Sequence, residues 1–205
     1  MLFNRSFFTE VSLETKLYEL MFFRRTSRQF INQPIEDVKL ERILSAGLLS
    51  PSGSNKSPFM IYVIKNPAIK KIIRTEAEKV EKAFYERKRD QDKDFTTWAS
   101  QKQLSFSKPH LTDAPVLLSI STDSRFIEKH AIESTWLSIA YLILAIENEG
   151  LCSVTYTPEP HTFMKEILHL PEYLIPQVLI PLGYPLKNDK KEPTRPDVTT
   201  RIVNI

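Results

Sequence analysis

The sequence predicts an α+β layered domain with helices on both faces of a central sheet. Two observations carry that prediction. Four short β-branched or apolar runs, Met60 to Ile64, Val116 to Ser121, Cys152 to Thr157 and Val178 to Leu182, are separated by segments with helical apolar spacing. The chain has 205 residues, the length of one domain with extensions.

The first helix is expected over 11–23, where Leu13, Leu17, Leu20 and Met21 recur at helical spacing. Phe30 to Pro34 reads as an extended connector, and Asp37 as the cap of a second helix with Leu40, Ile43, Leu44 and Gly47 on one face. Pro51-Ser52-Gly53-Ser54-Asn55 is a loop by composition. After the first strand, Asn66-Pro67 supplies a cap and a first-turn proline for a helix running to Phe84. Arg87 to Ser107 is polar and weakly patterned, and reads as a mobile lid. His130 to Glu149 is a long helix, apolar over most of its circumference, with Gly150 placed to end it. Such a helix needs cover on nearly every side, from a core or a partner subunit. A short helix is expected over His161 to Leu168, between the last two strands.

Composition narrows the function. Apolar residues make up 41% and charged residues 26%, which excludes wholesale disorder. The longest nearly apolar run, Trp136 to Ile146, falls short of the roughly 18 residues that span a bilayer. The N-terminus lacks the pattern of a secretory signal. The single cysteine, Cys152, fits a reducing, cytoplasmic location. The net charge of +3 is interleaved in sign, which argues against nucleic-acid binding. There is no GxGxxG and no GxxxxGK[ST], so side chains and helix ends must hold any nucleotide phosphate. The four histidines, His110, His130, His161 and His169, show no metal-site spacing, and no GxSxG hydrolase elbow occurs.

Five groups remain that suit chemistry. Arg24, Arg25 and Arg28, interleaved with Thr26 and Ser27, offer donors suited to phosphate and planar acceptors. The loop from Pro51 to Phe59 carries a glycine, hydroxyls and an asparagine that suit a polar ring. Glu81 and Tyr85, four apart, share a helix face. Thr155-Tyr156-Thr157-Pro158 lies at a strand end, and Arg195 in the proline-rich tail. Taken singly, each also reads as ordinary structure: a solvated basic helix end, a turn, a surface pair, strand threonines, a tail charge.

In order along the chain, these segments resemble the FMN-dependent nitroreductase family. The likeness rests on RRTSRQF at 24–30, SPSGSNKSPF at 50–59, Asp113-Ala114-Pro115, Glu149-Gly150-Leu151, Leu182-Gly183-Tyr184-Pro185 and Arg195-Pro196. The iodotyrosine deiodinase branch is the nearest likeness, through Pro51-Ser52-Gly53, Thr155-Tyr156-Thr157-Pro158 and the trio Glu81, Tyr85 and Lys108.

The resemblance implies a three-layer α/β/α domain around a central, mainly antiparallel sheet, in an intertwined homodimer. Residues 1–205 would form one FMN-binding domain, with 86–108 as an active-site lid and 186–205 as an extension reaching the partner. It implies Arg24 and Arg195 as phosphate partners, with Arg25, Thr26 and Ser27 beside them. Arg28 would lie near the flavin N1 and C2 carbonyl. Pro51, Ser52 and Gly53 would contact the ring or ribityl chain, Thr157 would hydrogen-bond N5, and Thr155 and Tyr156 would flank it. Thr157 and Arg28 are the catalytic candidates. The Ser54 amide would meet a substrate phenolate, while Glu81, Tyr85 and Lys108 would grip the amino-acid end of a halotyrosine. Electrons would come from NAD(P)H or another reductase. Three activities fit: reductive dehalogenation of halotyrosines, NAD(P)H-dependent nitro- or quinone reduction, and non-catalytic flavin binding. No metal, nucleic-acid or membrane partner is expected.

Overall fold

A computed structural model of the protein describes residues 16–92, 94–101, 104–186 and 201. The chain begins with α1 (Lys16–Phe23) and α2 (Asp37–Leu48), then β1 (Phe59–Ile64) and α3 (Pro67–Gln91). The short helices α4 (Phe95–Gln101) and α5 (His110–Asp113) lead into β2 (Val116–Asp123). Then come α6 (Ala131–Asn148), β3 (Cys152–Ser153), α7 (Phe163–Ile167) and β4 (Leu174–Gly183). The four strands form one sheet in the order β1-β2-β4-β3, antiparallel at every pairing, as the resemblance implies.

Strand alternation divides the core in two. Val116, Leu118 and Ile120 of β2, with Val178, Ile180 and Leu182 of β4, pack against Leu40 and Ile43 of α2 and Ile139, Leu142 and Ile146 of α6. Leu117 and Leu179 face the other way, onto Ile73 and Ala77 of α3, Leu111 of α5 and Met164 of α7. All of β2 is buried because helices cover both of its faces.

Several boundaries follow from local chemistry. The Asn66 side chain caps α3, accepting from the Ala68 and Ile69 amides at 2.9 and 3.4 Å, with Pro67 in the first turn. Gly150 follows α6 at φ +75°, a backbone that favours glycine. Asp37 does not cap α2. Glu36 occupies that position, without a side-chain cap bond, and Asp37 pairs with Lys65 at 2.9 Å instead. The expected third strand shrinks to Cys152–Ser153 plus a single bridge at Tyr156, whose N–H and C=O both bond Leu179 at 2.8 Å.

The segment Arg87 to Ser107 is more ordered than its composition suggests. α3 continues to Gln91, and α4 folds back over it. The rings of Phe84, Tyr85 and Phe95 meet edge to face at 5.2–6.1 Å, and Trp98 joins Phe95 at 5.8 Å. Aromatic contacts thus hold a stretch whose polar residues hide the helical pattern.

The 51–55 loop sits at the N-terminal end of α6. The Gly53 amide donates to Ser134 Oγ at 3.0 Å, and a Cβ on Gly53 would lie 2.0 Å from the Lys129 carbonyl oxygen. We predict that Gly53→Ala lowers stability by about 1–3 kcal/mol in urea unfolding, because backbone must shift to admit the methyl. An unchanged midpoint would show that the loop gives way freely.

Candidate active site

The segment after α1 runs beside the sheet edge and carries the arginine cluster with it. Thr26 forms a parallel bridge with Ser153, and the Ser27 amide donates to the Ser153 carbonyl at 3.0 Å. The Ile31 amide donates to Tyr184, and the Leu186 amide to Gln29, at 3.0 and 3.1 Å. Phe30 packs on Ala114 and Cys152. These bonds place residues 25–28 beside the end of β3, close in sequence to Thr155, Tyr156 and Thr157.

Two adjoining clefts open there. The larger, about 1260 Å³, is lined by Arg25, Thr26, Ser27 and Arg28, with Glu147, Asn148 and Gly150 from the end of α6. The smaller, about 710 Å³, is lined by Glu81 and Tyr85 of α3, Phe95 and Trp98 of α4, Lys108, and Thr155, Tyr156 and Thr157. Arg28, Leu104, Lys108 and His110 line both.

The structure therefore brings Arg28, Glu81, Tyr85, Lys108 and Thr155–Thr157, which the resemblance groups together, to one cleft. Lys108 Nζ lies 3.0 Å from Glu81 Oε2, with the two side chains 10% and 17% exposed. The ammonium also donates to the Ser105 carbonyl at 2.6 Å and sits over the Tyr85 and Tyr156 rings at 5.8 and 5.5 Å. Burial, then the Glu81 charge, pushes the Tyr85 phenol up. The same causes push the deeper Tyr156 phenol up far more strongly. Both remain neutral donors at ordinary pH. The Tyr156 hydroxyl is buried without a hydrogen-bond partner of good geometry, although the Glu81 carboxylate lies near it.

Other predicted residues lie elsewhere. Pro51, Ser52, Gly53 and Ser54 are not among the described residues lining either cleft. Arg24 is also absent from those linings; its amide closes α1 onto the Leu20 carbonyl at 2.9 Å. Arg195 falls outside the described residues, as does most of 186–205. No cluster of three potential metal ligands occurs among the described residues. No described helix is long and apolar enough to cross a membrane.

Sequence reasoning missed His110, which it weighed only as a metal ligand. Its place two residues after Lys108 was the available signal. Its imidazole is 4% exposed, edge-on to the Tyr156 ring. Burial, with the charges of Arg28 and Lys108, pushes it down to about 4. In the unfolded chain it takes a proton near pH 6.5. Stability from this group is complete above that pH and is lost as pH falls toward 4. We predict that unfolding free energy declines more steeply between pH 6.5 and 4 in the parent than in His110→Phe, by up to about 3 kcal/mol over the interval. Equal slopes would place the imidazole in water.

The fold and the sequence both have relatives. The family model described as the nitroreductase family matches residues 21–184. The chain is 34% identical to an iodotyrosine deiodinase of Thermotoga neapolitana over 171 residues, spanning 82% of this chain and 88% of that protein. It is 31% identical to an iodotyrosine deiodinase of Haliscomenobacter hydrossis, over 85% of this chain and 82% of that one. Among solved structures it is similar to an oxidized iodotyrosine deiodinase bound to FMN and 3-iodo-L-tyrosine. The TM-score is 0.82 and the identity 31%, covering 92% of this chain and 100% of that one. An FMN-bound nitroreductase from Desulfitobacterium hafniense, 18% identical, shares the fold at a TM-score of 0.72, over 93% of this chain and 98% of that one. The chain belongs to the nitroreductase family, with iodotyrosine deiodinases among its relatives.

Proposed function

We propose that this protein is an FMN-dependent oxidoreductase that removes halogen reductively from free halotyrosines. The observation that carries the reading is the Glu81–Lys108 pair, 3.0 Å apart at the cleft that also holds Tyr85, Thr157 and Arg28. A free amino acid presents an ammonium and a carboxylate on one carbon. Glu81 accepts from the first and Lys108 donates to the second, each exchanging its internal partner for the ligand. The neutral Tyr85 phenol adds a donor. A ligand lacking either charge leaves one of these two largely buried side chains unmatched, which is how such a site rejects it.

The residues present fit FMN. Two guanidinium groups and two hydroxyls, from Arg25, Arg28, Thr26 and Ser27, line the larger cleft and suit a phosphate or a heteroatom-rich ring edge. The family resemblance assigns Arg24 and Arg195 to the phosphate; of that group, Arg25, Thr26 and Ser27 line the larger cleft. Thr157 is assigned to flavin N5, with Thr155 and Tyr156 flanking it. Arg28 is assigned to the N1 and C2 carbonyl edge, where positive charge favours the reduced ring. When bound, the cofactor supplies the two electrons, drawn from NAD(P)H or a reductase, that with one proton convert the carbon–halogen bond to carbon–hydrogen and release halide. Phe95 and Trp98 of α4 line the same cleft as Thr157 and would give a bound ring an apolar wall.

The reading also requires a second copy. The 51–54 loop meets α6 at Ser134, whereas the larger cleft meets it at Glu147 and Asn148. At 1.5 Å per residue these ends are about 20 Å apart. Ile132, Trp136, Leu137 and Tyr141, on the face of α6 turned from the sheet, are 40–44% exposed. A two-fold pairing on that face covers it and brings the loop end of one protomer toward the cleft end of the other. Pro51, Ser52, Gly53 and Ser54 of one chain then complete the flavin and phenolate contacts of its partner. The single buried cysteine suits a cytoplasmic enzyme.

Titration of the FMN-loaded protein with 3-iodotyrosine is expected to quench flavin fluorescence, and Lys108→Ala to weaken that binding at least about tenfold. No quenching in the parent, together with rapid turnover of nitroaromatics, would assign a broad nitroreductase instead. Dilution to monomer is expected to release FMN in parallel with dissociation. A monomer that retains its flavin would overturn the shared site.

A further inference from the structure

The two halves of the amino-acid grip come from different elements, and something must set their spacing. Glu81 is on α3, while Lys108 precedes α5 in the segment returning from the lid. That segment hangs from one face of α3 by a row of charged side chains at helical spacing. Lys70 Nζ, 5% exposed as a residue, donates to the Ala114 carbonyl at 2.6 Å and reaches the Thr112 and Pro115 carbonyls at 3.3 and 3.4 Å. Arg74 Nη1 donates to Thr112 Oγ1 at 2.8 Å. Glu78 Oε1 accepts from Arg74 Nε at 2.8 Å, from the Lys108 amide at 2.7 Å and from the Ser107 hydroxyl at 3.3 Å. Glu81, three residues further on, meets the Lys108 ammonium.

The bonds from Lys70 and Arg74 hold the segment beyond Lys108. Among the described residues, Glu78 is the α3 side chain that bonds the Lys108 backbone, at its amide, while the Lys108 carbonyl accepts from the Leu111 amide of α5 at 3.0 Å. The remaining bond from the Lys108 side chain, to Ser105, is local and cannot fix its distance from α3. Burial pushes the Glu78 carboxyl up, but its bonds from Lys108 and Arg74 outweigh that and hold it below the usual carboxylate value. It is therefore ionised at neutral pH, where a charged acceptor binds an amide most tightly.

We propose that Glu78 is a positioning residue that holds the Lys108 backbone against α3 and so sets the distance between the two charges that receive the amino acid. The inference rests on the halotyrosine reading. It adds that selectivity for the substrate carboxylate depends on a side chain that touches neither substrate nor flavin.

The test compares 3-iodotyrosine with 3-iodotyramine, which lacks the carboxylate, by flavin-fluorescence titration of FMN-loaded enzyme. The parent is expected to prefer 3-iodotyrosine, and Lys108→Ala to abolish the preference. Glu78→Ala is expected to weaken 3-iodotyrosine about tenfold and leave 3-iodotyramine within twofold. In the Lys108→Ala background, Glu78→Ala is expected to do nothing further. Glu78→Asp, which keeps the charge but withdraws it by one methylene, covers the case in which the alanine variant fails to fold. It is expected to lower the preference by about threefold. Equal weakening of both ligands, or an unchanged preference in the folded Glu78 variants, would overturn the inference and leave the function standing. A parent that does not distinguish the ligands would overturn the assigned role of Lys108 and the inference with it.

Discussion

Two opposite charges held 3.0 Å apart, those of Glu81 and Lys108 with side chains 17% and 10% exposed, tie α3 to the segment before α5 at the smaller cleft. Removing one member of such a buried pair typically costs about 3–5 kcal/mol, because the survivor keeps its desolvation without its partner. The pair is therefore a weak source of net stability and a strong constraint on what enters. On the proposed reading, a zwitterion offers both an anion and a cation in their place.

The fold serves that constraint through α3. One face of this helix supplies Ile73 and Ala77 to the core under the sheet. The adjoining face supplies Lys70, Arg74, Glu78 and Glu81 to the returning lid segment. Its far end supplies Phe84 and Tyr85 to the rings of α4. Core packing, charge placement and the aromatic contacts of α4 thus share one helix.

Legibility in the sequence followed the range of the forces. Asn66-Pro67 and Gly150 act on their own turn, and both mark helix ends as the sequence implies. β2 and β4 were visible as near-continuous apolar runs because helices cover both faces of each strand. Glu81, Tyr85 and Lys108 were legible as a set only through family resemblance, since spacing alone offered a surface pair and a loop lysine. The order of the segment from Arg87 to Ser107 was hidden because Phe84, Phe95 and Trp98 find one another across a polar stretch. Asp37 was misplaced as a cap because Lys65, 28 residues away, takes its carboxylate. His110 escaped because its burial against Tyr156 comes from the packing of two distant segments. The separation of the 51–54 loop from the clefts is likewise a tertiary fact, set by the length of α6.

The most direct test of this account is a crystal structure of the FMN-loaded protein soaked with 3-iodotyrosine. The account predicts a flavin touched by residues of two protomers, with the amino-acid end of the ligand lying between Glu81 and Lys108 and their mutual contact broken. A ligand bound elsewhere, with that contact intact, would contradict it.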